Sequence, residues 1–468
     1  MIGLLAAVIP LAFYLAYPST FWNFDGVACA AALELGHPIY FFHAQHLLYG
    51  FAGFLFWKLL LPLGFVKALP ALQIFTSLLG SAALFFLWRS LYQLSQDRGL
   101  ALVLTCAAGF SAAFWVWSIE AQVYALGVLG LAGATAALLS PSPRMKTIGF
   151  WHALAIGGHL VHGLWLIPAL YLMRKRQLPL KPYLLTVFSV VIGAYTAVTL
   201  FVVVPYHGQG PWLSNWFKGS LGLTQDRSIG WHWPGISGPW LWLKATPGVL
   251  WGSFWPYAGT HISSSLSALA IISTALMLGL VIFQWRGALQ HRTVVRFSVL
   301  WLAVYALFFS TWEPETLCYR MTDIIPFTFI LMVALIAIPQ RLARLSLAVG
   351  WMVSLGLVNF KSRALPMHDI ERNKVYQQTL RLAKISPEHS MYMTSGGEPW
   401  IYLLYFTGRS AWNARTLSFD EFERHWEALK PAPPLYIYSG LLRDPKIAPA
   451  ITRRHLKVIS DIPWLEVS

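Results

Sequence analysis

The sequence has little charge and few cysteines. Only 11% of its 468 residues are Asp, Glu, Lys or Arg, whereas 57% are hydrophobic, and its three cysteines are Cys29, Cys106 and Cys318. This composition is that of a polytopic membrane protein. Three scattered cysteines imply neither a disulfide framework nor a cysteine-based metal site.

The motifs of many soluble enzymes are also missing. The sequence contains no P-loop, no GxGxxG after a strand and no HExxH motif. These motifs hold nucleotide phosphates or a catalytic zinc ion. Their absence gives no support to a nucleotide-dependent reaction, and an activated substrate is more naturally carried by a lipid.

Apolar runs recur through the first 360 positions and are long enough to cross a hydrocarbon core of about 30 Å. The runs predicted to span are residues 2–17, 73–92, 99–117, 121–139, 183–205, 264–285, 297–311, 321–339 and 344–360. The first run lacks a basic n-region and a cleavage site, so we expect it to be a retained helix. Residues 40–60 either span or lie along the interface, and residues 150–173 form either one helix or two short ones meeting at a Gly-Gly-His step.

The basic residues indicate topology. The net charge of +15 would suit nucleic acid, but 19 of the 34 Lys and Arg residues lie before position 361, mostly in short loops. Such placement fits a membrane protein, and no nucleic-acid partner is predicted.

The positive-inside rule distinguishes two arrangements of the segments 40–60 and 150–173. With residues 40–60 on the outer surface and 150–173 as a short up-and-down pair, cytoplasmic loops hold 13 basic residues and outer loops 6; with both as single spans, the split is 11 to 8. We prefer the first arrangement, which gives about 11 transmembrane helices. It puts Asp25, Glu120, the loop 206–262, the WEPE turn and the C-terminal tail on the outer face.

Carboxylates are rare before residue 361. The eight are Asp25, Glu34, Asp97, Glu120, Asp226, Glu313, Glu315 and Asp323. Ionisable groups at membrane depth are costly and tend to be functional, whereas loop carboxylates such as Asp97 are usually just solvated. Asp25 is either functional or a solvated residue or N-cap. Glu120 is either functional or a carboxylate favoured by a helix N-terminus.

Three other groups could carry chemistry. Arg320, in the turn that contains Glu313, suits a phosphate or pairs with Glu315. His159 and His162 share a helical face and either bind a metal or a phosphate or are buried core histidines. The loop 206–262 contains eight tryptophans, which either anchor it at the interface or contact sugar or lipid.

The last hundred residues predict a soluble α/β unit. Strands are expected at SMYMTSG (390–396), PLYIYSG (434–440) and HLKVISDI (455–462), and helices at EPWIYLLYFTGR (398–409) and SFDEFERHWEALK (418–430). Acceptor binding, cover for the membrane site and a purely structural role are all open for this unit.

The order of these features resembles the GT-C class of integral-membrane glycosyltransferases, in particular bacterial relatives of the protein O-mannosyltransferase and aminoarabinose transferase families. The resemblance covers the whole chain. An acidic outer loop runs into a GHP motif, Gly36-His37-Pro38, and a second acidic position follows in an ExxxY context, Glu120 and Tyr124. A Gly-His helix start at Gly158-His159, a WEP turn and an outward-facing domain come after them.

The resemblance implies an all-α polytopic GT-C-like domain over residues 1–360, with a small extracytoplasmic α/β domain over 361–468, in the cell inner membrane. It also implies a polyprenyl-phosphate sugar as donor and a hydroxyl of a protein, lipid or glycan as acceptor. Asp25 would be the general base of an inverting transfer.

Further residues follow from the same resemblance. Glu120 would orient the acceptor or assist Asp25, and Arg320 and His159 would bind the donor phosphate. His37, Glu313 and Tyr124 would bind substrate. Gly26 stands where the family often has a second acidic residue, which argues against a paired carboxylate or a metal site in the first loop. The family's GHPPG pattern is cut to GHPIY here, so its structural role is left open. A divalent metal ion is left open, and no other cofactor is expected.

Two other classes of function remain open. A transporter or flippase of lipid-linked glycans would explain the helices and the aromatic loop, although the chain shows no internal repeat and its carboxylates cluster at one interface. A non-catalytic sugar-binding membrane subunit is the second alternative.

Overall fold

The structure is a computed structural model that describes residues 2–207, 237–254, 264–414, 434–443, 456–459 and 462–467, with Arg424, Ala428 and Ala448. The chain divides into two units. The helical unit comprises Met1–Ser19 and Ala32–His368, and the C-terminal unit comprises Thr20–Ala31 and Asp369–Ser468. The predicted boundary after residue 360 falls within the helical segment Arg341–His368.

Long apolar helices form most of the helical unit. The helices long and apolar enough to cross a membrane, among the described residues, are Ala68–Ser95, Leu180–Tyr206, Ser264–Phe283, Arg292–Phe309, Leu317–Ile336 and Arg341–His368. Shorter apolar helices are Ile2–Ala16, Tyr49–Leu63 and Tyr124–Leu139. The six long helices confirm the runs predicted at 73–92, 183–205, 264–285, 297–311, 321–339 and 344–360 as apolar helices of spanning length. The spans predicted at 2–17 and 121–139 are shorter apolar helices, and they and the total of about 11 spans stay predictions.

The other α-helices described before Asp369 are shorter. They are Phe24–Leu35, Arg98–Gly109, Ala112–Ile119, Met145–Gly158, Leu166–Lys175, Ser237–Leu250 and Trp285–Ala288, and the first of them lies mostly in the C-terminal unit. The core lies around the helix Leu317–Ile336. In its most apolar stretch 78% of the residues are buried, compared with 17% in the helix Ser264–Phe283. The second helix therefore presents most of its side chains outward.

The run predicted to span at 99–117 is not one continuous helix but a bent pair, which forms either a broken span or a re-entrant loop. Arg98–Gly109 and Ala112–Ile119 are separate helices with an angle of 66° between them. Side chains satisfy the carbonyls freed at this break: Ser111 Oγ donates to Ala108 O at 2.6 Å, and Asn359 Nδ2 donates to Phe110 O at 2.7 Å. Hydropathy alone does not detect a break that a distant side chain stabilises.

The structure describes both segments that had alternative predictions. Residues 150–173 are not one helix: Met145–Gly158 ends at the Gly-Gly-His step, and the 3-10 helix Leu160–Trp165 leads into Leu166–Lys175, which favours the two-helix alternative. Within residues 40–60, the α-helix Tyr49–Leu60 has 12 residues. It rises about 18 Å, less than a hydrocarbon core of about 30 Å, which favours the interfacial alternative for this segment.

Asp97 is buried rather than solvated, which corrects the prediction from the sequence. Its carboxylate is 7% exposed, accepts from the amides of Gly99 and Leu100 at the start of Arg98–Gly109, and pairs with Arg341 at 3.1 Å and Arg344 at 3.3 Å. Burial opposes its ionisation, but the hydrogen bonds from Arg341 and from the two amides hold its pKa below the usual value. Asp97 thereby ties the start of one helix to another far along the chain.

The described strands of the C-terminal unit form a five-stranded mixed sheet. They are β1 (Met391–Thr394), β2 (Ala411–Asn413), β3 (Leu435–Tyr438), β4 (Leu456–Val458) and β5 (Trp464–Val467), in the order β2-β1-β3-β5-β4. β1 is parallel to β2 and β3, and β5 is antiparallel to β3 and β4.

Two helices accompany this sheet, Lys374–Ile385 and Glu398–Thr407. The second confirms the helix predicted at 398–409, and β1, β3 and β4 confirm the three predicted strands. The helix predicted at 418–430 lies outside the described residues except for Arg424 and Ala428, and β2 and β5 were not predicted.

We expect Asp97→Asn to lower the Tm of the purified protein. The neutral amide gives up both ion pairs, whereas Asn caps a helix about as well as Asp, so the loss comes from the missing charge. Because the pKa of Asp97 is depressed in the folded state, its contribution is complete above the unfolded pKa and is lost as the pH falls through the folded pKa. Thermal unfolding followed across acidic pH should show the Tm difference shrinking at low pH, and a constant difference would contradict the ion-pair account.

Candidate functional site

The Gly-Gly-His step ends the helix Met145–Gly158 and creates a meeting point for three segments. A Cβ on Gly157 would lie 2.4 Å from Leu48 Cδ1, and a Cβ on Gly158 would lie 2.6 Å from the backbone nitrogen of Gly127. Only glycine permits these approaches without displacing a neighbour. The next residue, His159, has an extended backbone and leaves the helix axis.

The segment before the helix Tyr49–Leu60 is joined to this step through its backbone. The amide of Leu48 donates to Gly157 O at 2.9 Å, and the amide of Leu160 donates to Gln45 O at 2.9 Å. These paired hydrogen bonds bring His46 beside His159, with ring centroids 4.4 Å apart.

Two tyrosines complete what we call the His–Tyr cluster: His46, His159, His162, Tyr124 and Tyr319. Tyr124 is stacked with His159 at 5.6 Å, and Tyr319 meets the edges of both rings, at 5.3 Å from Tyr124 and 5.7 Å from His159. His162 lies 5.8 Å from His159. The cluster draws its members from four separate parts of the helical unit.

Three ring nitrogens of this cluster are buried without a hydrogen-bond partner in the described part of the chain: His46 Nδ1, His159 Nε2 and His162 Nε2. Buried polar atoms are normally paired, so such a group of exceptions is notable. Burial, and then the neighbouring imidazoles of His159 and His43, hold the pKa of His46 well below its usual value. His46 is therefore neutral at physiological pH and can both donate and accept hydrogen bonds.

The histidines do not form a metal site in the described residues, where no group of three or more His, Cys, Asp or Glu side chains is arranged to hold an ion. His162 instead contacts Tyr305, with 3.2 Å between Nδ1 and the hydroxyl oxygen. Behind it, His152 Nε2 lies 3.0 Å from His162 O, and His152 Nδ1 lies 2.7 Å from the hydroxyl of Tyr183. His152 and Tyr183 thus support the cluster from behind.

Glu120 is buried in the helical unit, with 2% of its surface exposed. It follows the last residue of the helix Ala112–Ile119, so the helix N-terminal alternative is wrong, and a carboxylate at this end of a helix is opposed by the macrodipole. Ser19 Oγ donates to Glu120 Oε1 at 2.5 Å, and Gln73 Nε2 donates to Ser19 O at 2.7 Å and Ile119 O at 3.1 Å. A buried carboxylate held in this way is a candidate for function.

Arg320 is also buried, with 2% of its surface exposed. Its Nε donates to Asp323 Oδ2 at 2.7 Å, Nη1 to Trp242 O at 2.9 Å and Nη2 to Thr246 Oγ1 at 3.1 Å, while the guanidinium lies 4.0 Å from the Trp242 ring centroid. All three nitrogens therefore have a protein acceptor. Arg320 fixes the turn that carries Tyr319 against the helix Ser237–Leu250.

The other predicted site residues lie at separate positions. Asp25 is exposed in the first turn of Phe24–Leu35, where Asn23 Oδ1 accepts from its amide at 2.9 Å. His37 is exposed and packs on Tyr206 at 4.5 Å. Glu313 is partly buried with a left-handed φ of 44° and accepts from Thr316 Oγ1 at 3.1 Å.

The structure brings together two of the predicted residues, His159 and Tyr124, in direct contact. Asp25 belongs to the C-terminal unit, whereas the other predicted site residues belong to the helical unit. Sequence reasoning missed His46 and Tyr319. In the sequence, His46 is one residue of the segment 40–60, and Tyr319 is the neighbour of Arg320, and neither carries a local signal of its own.

Of the eight tryptophans in the loop 206–262, Trp240, Trp242 and Trp251 are described. Trp240 is exposed, Trp242 stacks on Arg320, and Trp251 is buried with Nε1 donating to Thr274 Oγ1 at 2.8 Å. Anchoring at an interface suits Trp240, whereas the other two are structural. The other five tryptophans lie outside the described residues.

We expect Gly127→Ala to destabilise the cluster. The new Cβ would lie 2.3 Å from His162 Nε2, so the imidazole must move, and overpacking of this kind costs about 1–3 kcal/mol. Gly193→Ala is the matched control because nothing lies within 4 Å of its Cβ position. Thermal unfolding should show a lower Tm for Gly127→Ala alone, and an unchanged Tm would contradict the packing described for His162.

Comparison with known proteins identifies the fold but no sequence family. The chain matches no protein-family model and no curated protein sequence. It is similar to the crystal structure of ArnT from Cupriavidus metallidurans bound to undecaprenyl phosphate, with a TM-score of 0.64 and 12% identity over 99% of this chain and 97% of that one. The apo structure of the same ArnT gives a TM-score of 0.48 at the same identity and coverage. The chain therefore shares its fold with ArnT over nearly its whole length.

Proposed function

We propose that this protein is a GT-C glycosyltransferase that moves a sugar from a polyprenyl-phosphate donor to an acceptor hydroxyl at the outer face of the cell inner membrane. One observation carries the proposal: the fold likeness extends over 99% of the chain to an ArnT whose structure holds undecaprenyl phosphate. The long apolar helices of this chain fit an enzyme that lies in the membrane and takes its donor from the lipid phase. About 11 spans and an extracytoplasmic C-terminal unit belong to the same proposal.

In the proposed reaction, the acceptor oxygen forms a bond to the anomeric carbon while the bond from that carbon to the phosphate oxygen breaks. The acceptor proton passes to Asp25, and polyprenyl phosphate leaves with the electron pair, so that the anomeric centre inverts. Asp25 suits the task because it is exposed, and so accessible to an acceptor, and because a carboxylate can accept the acceptor's proton. The acceptor is a protein, a lipid or a glycan.

The donor phosphate is assigned to the His–Tyr cluster. The predicted residues His159 and Tyr124 supply hydrogen-bond donors there. The newly found residues His46 and Tyr319 add a second imidazole and a second phenol. Hydrogen bonds to a phosphate in a buried, water-poor site are worth much more than in water. The three buried ring nitrogens without partners in the described chain are the observation that favours this assignment.

An apolar cleft beside the cluster suits the lipid chain. It has a volume of about 130 Å³ and lies between the helices Met145–Gly158 and Leu180–Val198. Leu47, which follows His46 in the sequence, lines this cleft, as does Gly157, two residues before His159. A lipid whose phosphate lies at the cluster would have its first isoprene units at this cleft.

The remaining predicted residues take supporting roles. Glu120 orients the acceptor or assists Asp25, and Glu313 and His37 contact substrate hydroxyl or phosphate oxygens. Because the three nitrogens of Arg320 already have protein acceptors, we assign Arg320 to holding the turn of Tyr319 rather than to direct contact with phosphate.

The test is sugar transfer by purified protein in nanodiscs, using a panel of polyprenyl-phosphate sugars with candidate acceptors. Asp25→Asn should lower kcat by at least about 100-fold, because general-base catalysis contributes about 10²–10⁴. The KM for the donor should change little. Glu371→Gln, an exposed carboxylate of the same unit, is the control and should transfer at the wild-type rate.

Two results would contradict the proposal. Undiminished transfer by Asp25→Asn would remove Asp25 as the base. Absence of turnover by the wild type on every donor, combined with movement of a lipid-linked glycan across the bilayer, would favour a transporter.

A further inference from the structure

The segment that leads into Asp25 is held by the C-terminal unit. Thr20–Ala31 belongs to that unit, although it lies more than three hundred residues before the rest of it in the sequence. The contacts that hold it come from Asn373 and from the helices Lys374–Ile385 and Glu398–Thr407. They reach Thr20, Trp22 and Phe24, which precede Asp25.

Two hydrogen bonds hold the main chain of this segment. Asn373 Nδ2 donates to Thr20 O at 2.6 Å, and the hydroxyl of Tyr402 donates to Trp22 O. Asn373 Nδ2 also lies 3.3 Å from the Tyr402 hydroxyl, so the two side chains support one another. Both residues are buried, and removing a buried partner leaves a carbonyl unsatisfied.

Aromatic packing holds the side chains of the same segment. The Trp22 ring lies 5.2 Å from Tyr376 and 4.8 Å from Phe406, measured between centroids. Phe24, directly before Asp25, lies 6.0 Å from Trp400. The backbone is therefore fixed up to the residue that precedes the carboxylate, while Asp25 itself is exposed.

We propose that the C-terminal unit positions Asp25, with Asn373 and Tyr402 as positioning residues for the proposed transfer reaction. This inference rests on the proposed role of Asp25 as general base. A base must be held close to its productive geometry, and a misplacement of about 1 Å can cost a hundredfold in rate. The unit fixes the main chain next to a residue that is itself exposed, and an incoming acceptor hydroxyl needs such access.

The experiment is a double-mutant cycle between Tyr402→Phe and Asp25→Asn, measured as kcat and KM of transfer in nanodiscs. Tyr402→Phe removes the hydroxyl but keeps the ring that packs on Trp22. It should lower kcat about tenfold with a KM for the donor within about twofold. In the Asp25→Asn background, Tyr402→Phe should cause no further loss, because it acts through Asp25.

Two further variants keep the test decisive. Asn373→Asp removes the amide that donates to Thr20 O but keeps the oxygen that caps the helix at Tyr376, and it should follow the kinetics of Tyr402→Phe. Tyr392→Phe is the matched control, a buried tyrosine of the same unit whose hydroxyl contacts Ser386 at 2.6 Å. It should leave kcat unchanged.

The outcomes separate the two claims. If Asp25→Asn transfers normally, the proposed function fails. If Asp25→Asn is inactive but Tyr402→Phe has wild-type kcat, or its loss multiplies with that of Asp25→Asn, the positioning role is overturned while the proposed function stands.

Discussion

The structure depends on one constraint: in a chain with so little charge, buried polar groups must find their partners within the chain itself. Arg320 meets this constraint with Asp323, Trp242 and Thr246. Asn359 does so by donating to Phe110 O and Leu250 O and accepting from the amide of Gly252, each at 2.7 Å. Each of these side chains joins segments that are far apart in the sequence. Hydrogen bonds from buried polar side chains therefore hold the apolar helices together.

The same constraint explains where the candidate chemistry lies. Helices end or bend at Phe110, at Glu120 and at His159, and at each place the freed backbone groups are satisfied by side chains or by another segment. Side chains at such breaks project from irregular backbone inside the protein, where regular helices would offer only apolar surfaces. The His–Tyr cluster and Glu120 both occupy breaks of this kind. We therefore regard interrupted helices as the means by which a mostly apolar unit acquires a polar site.

The sequence predicted what depends on local pattern and missed what depends on distant partners. Apolar runs predicted the long helices, and Gly157-Gly158 allowed for the break at His159. The bend after Gly109 needs Asn359, 249 residues away from Phe110, and the burial of Asp97 needs Arg341, 244 residues away. Likewise, no local signal assigns Thr20–Ala31 to the C-terminal unit or places His46 against His159. These features arise from tertiary pairing, which hydropathy and spacing do not encode.

The His–Tyr cluster is the proposed binding site of the donor phosphate. A cryo-EM structure of the wild-type protein in nanodiscs with undecaprenyl phosphate tests this most directly. We expect phosphate density within about 3 Å of His159 or Tyr319, with the isoprenoid chain entering the cleft beside Leu47 and Gly157. Phosphate density at a different site, with the cluster unchanged and its ring nitrogens still without partners, would contradict the account.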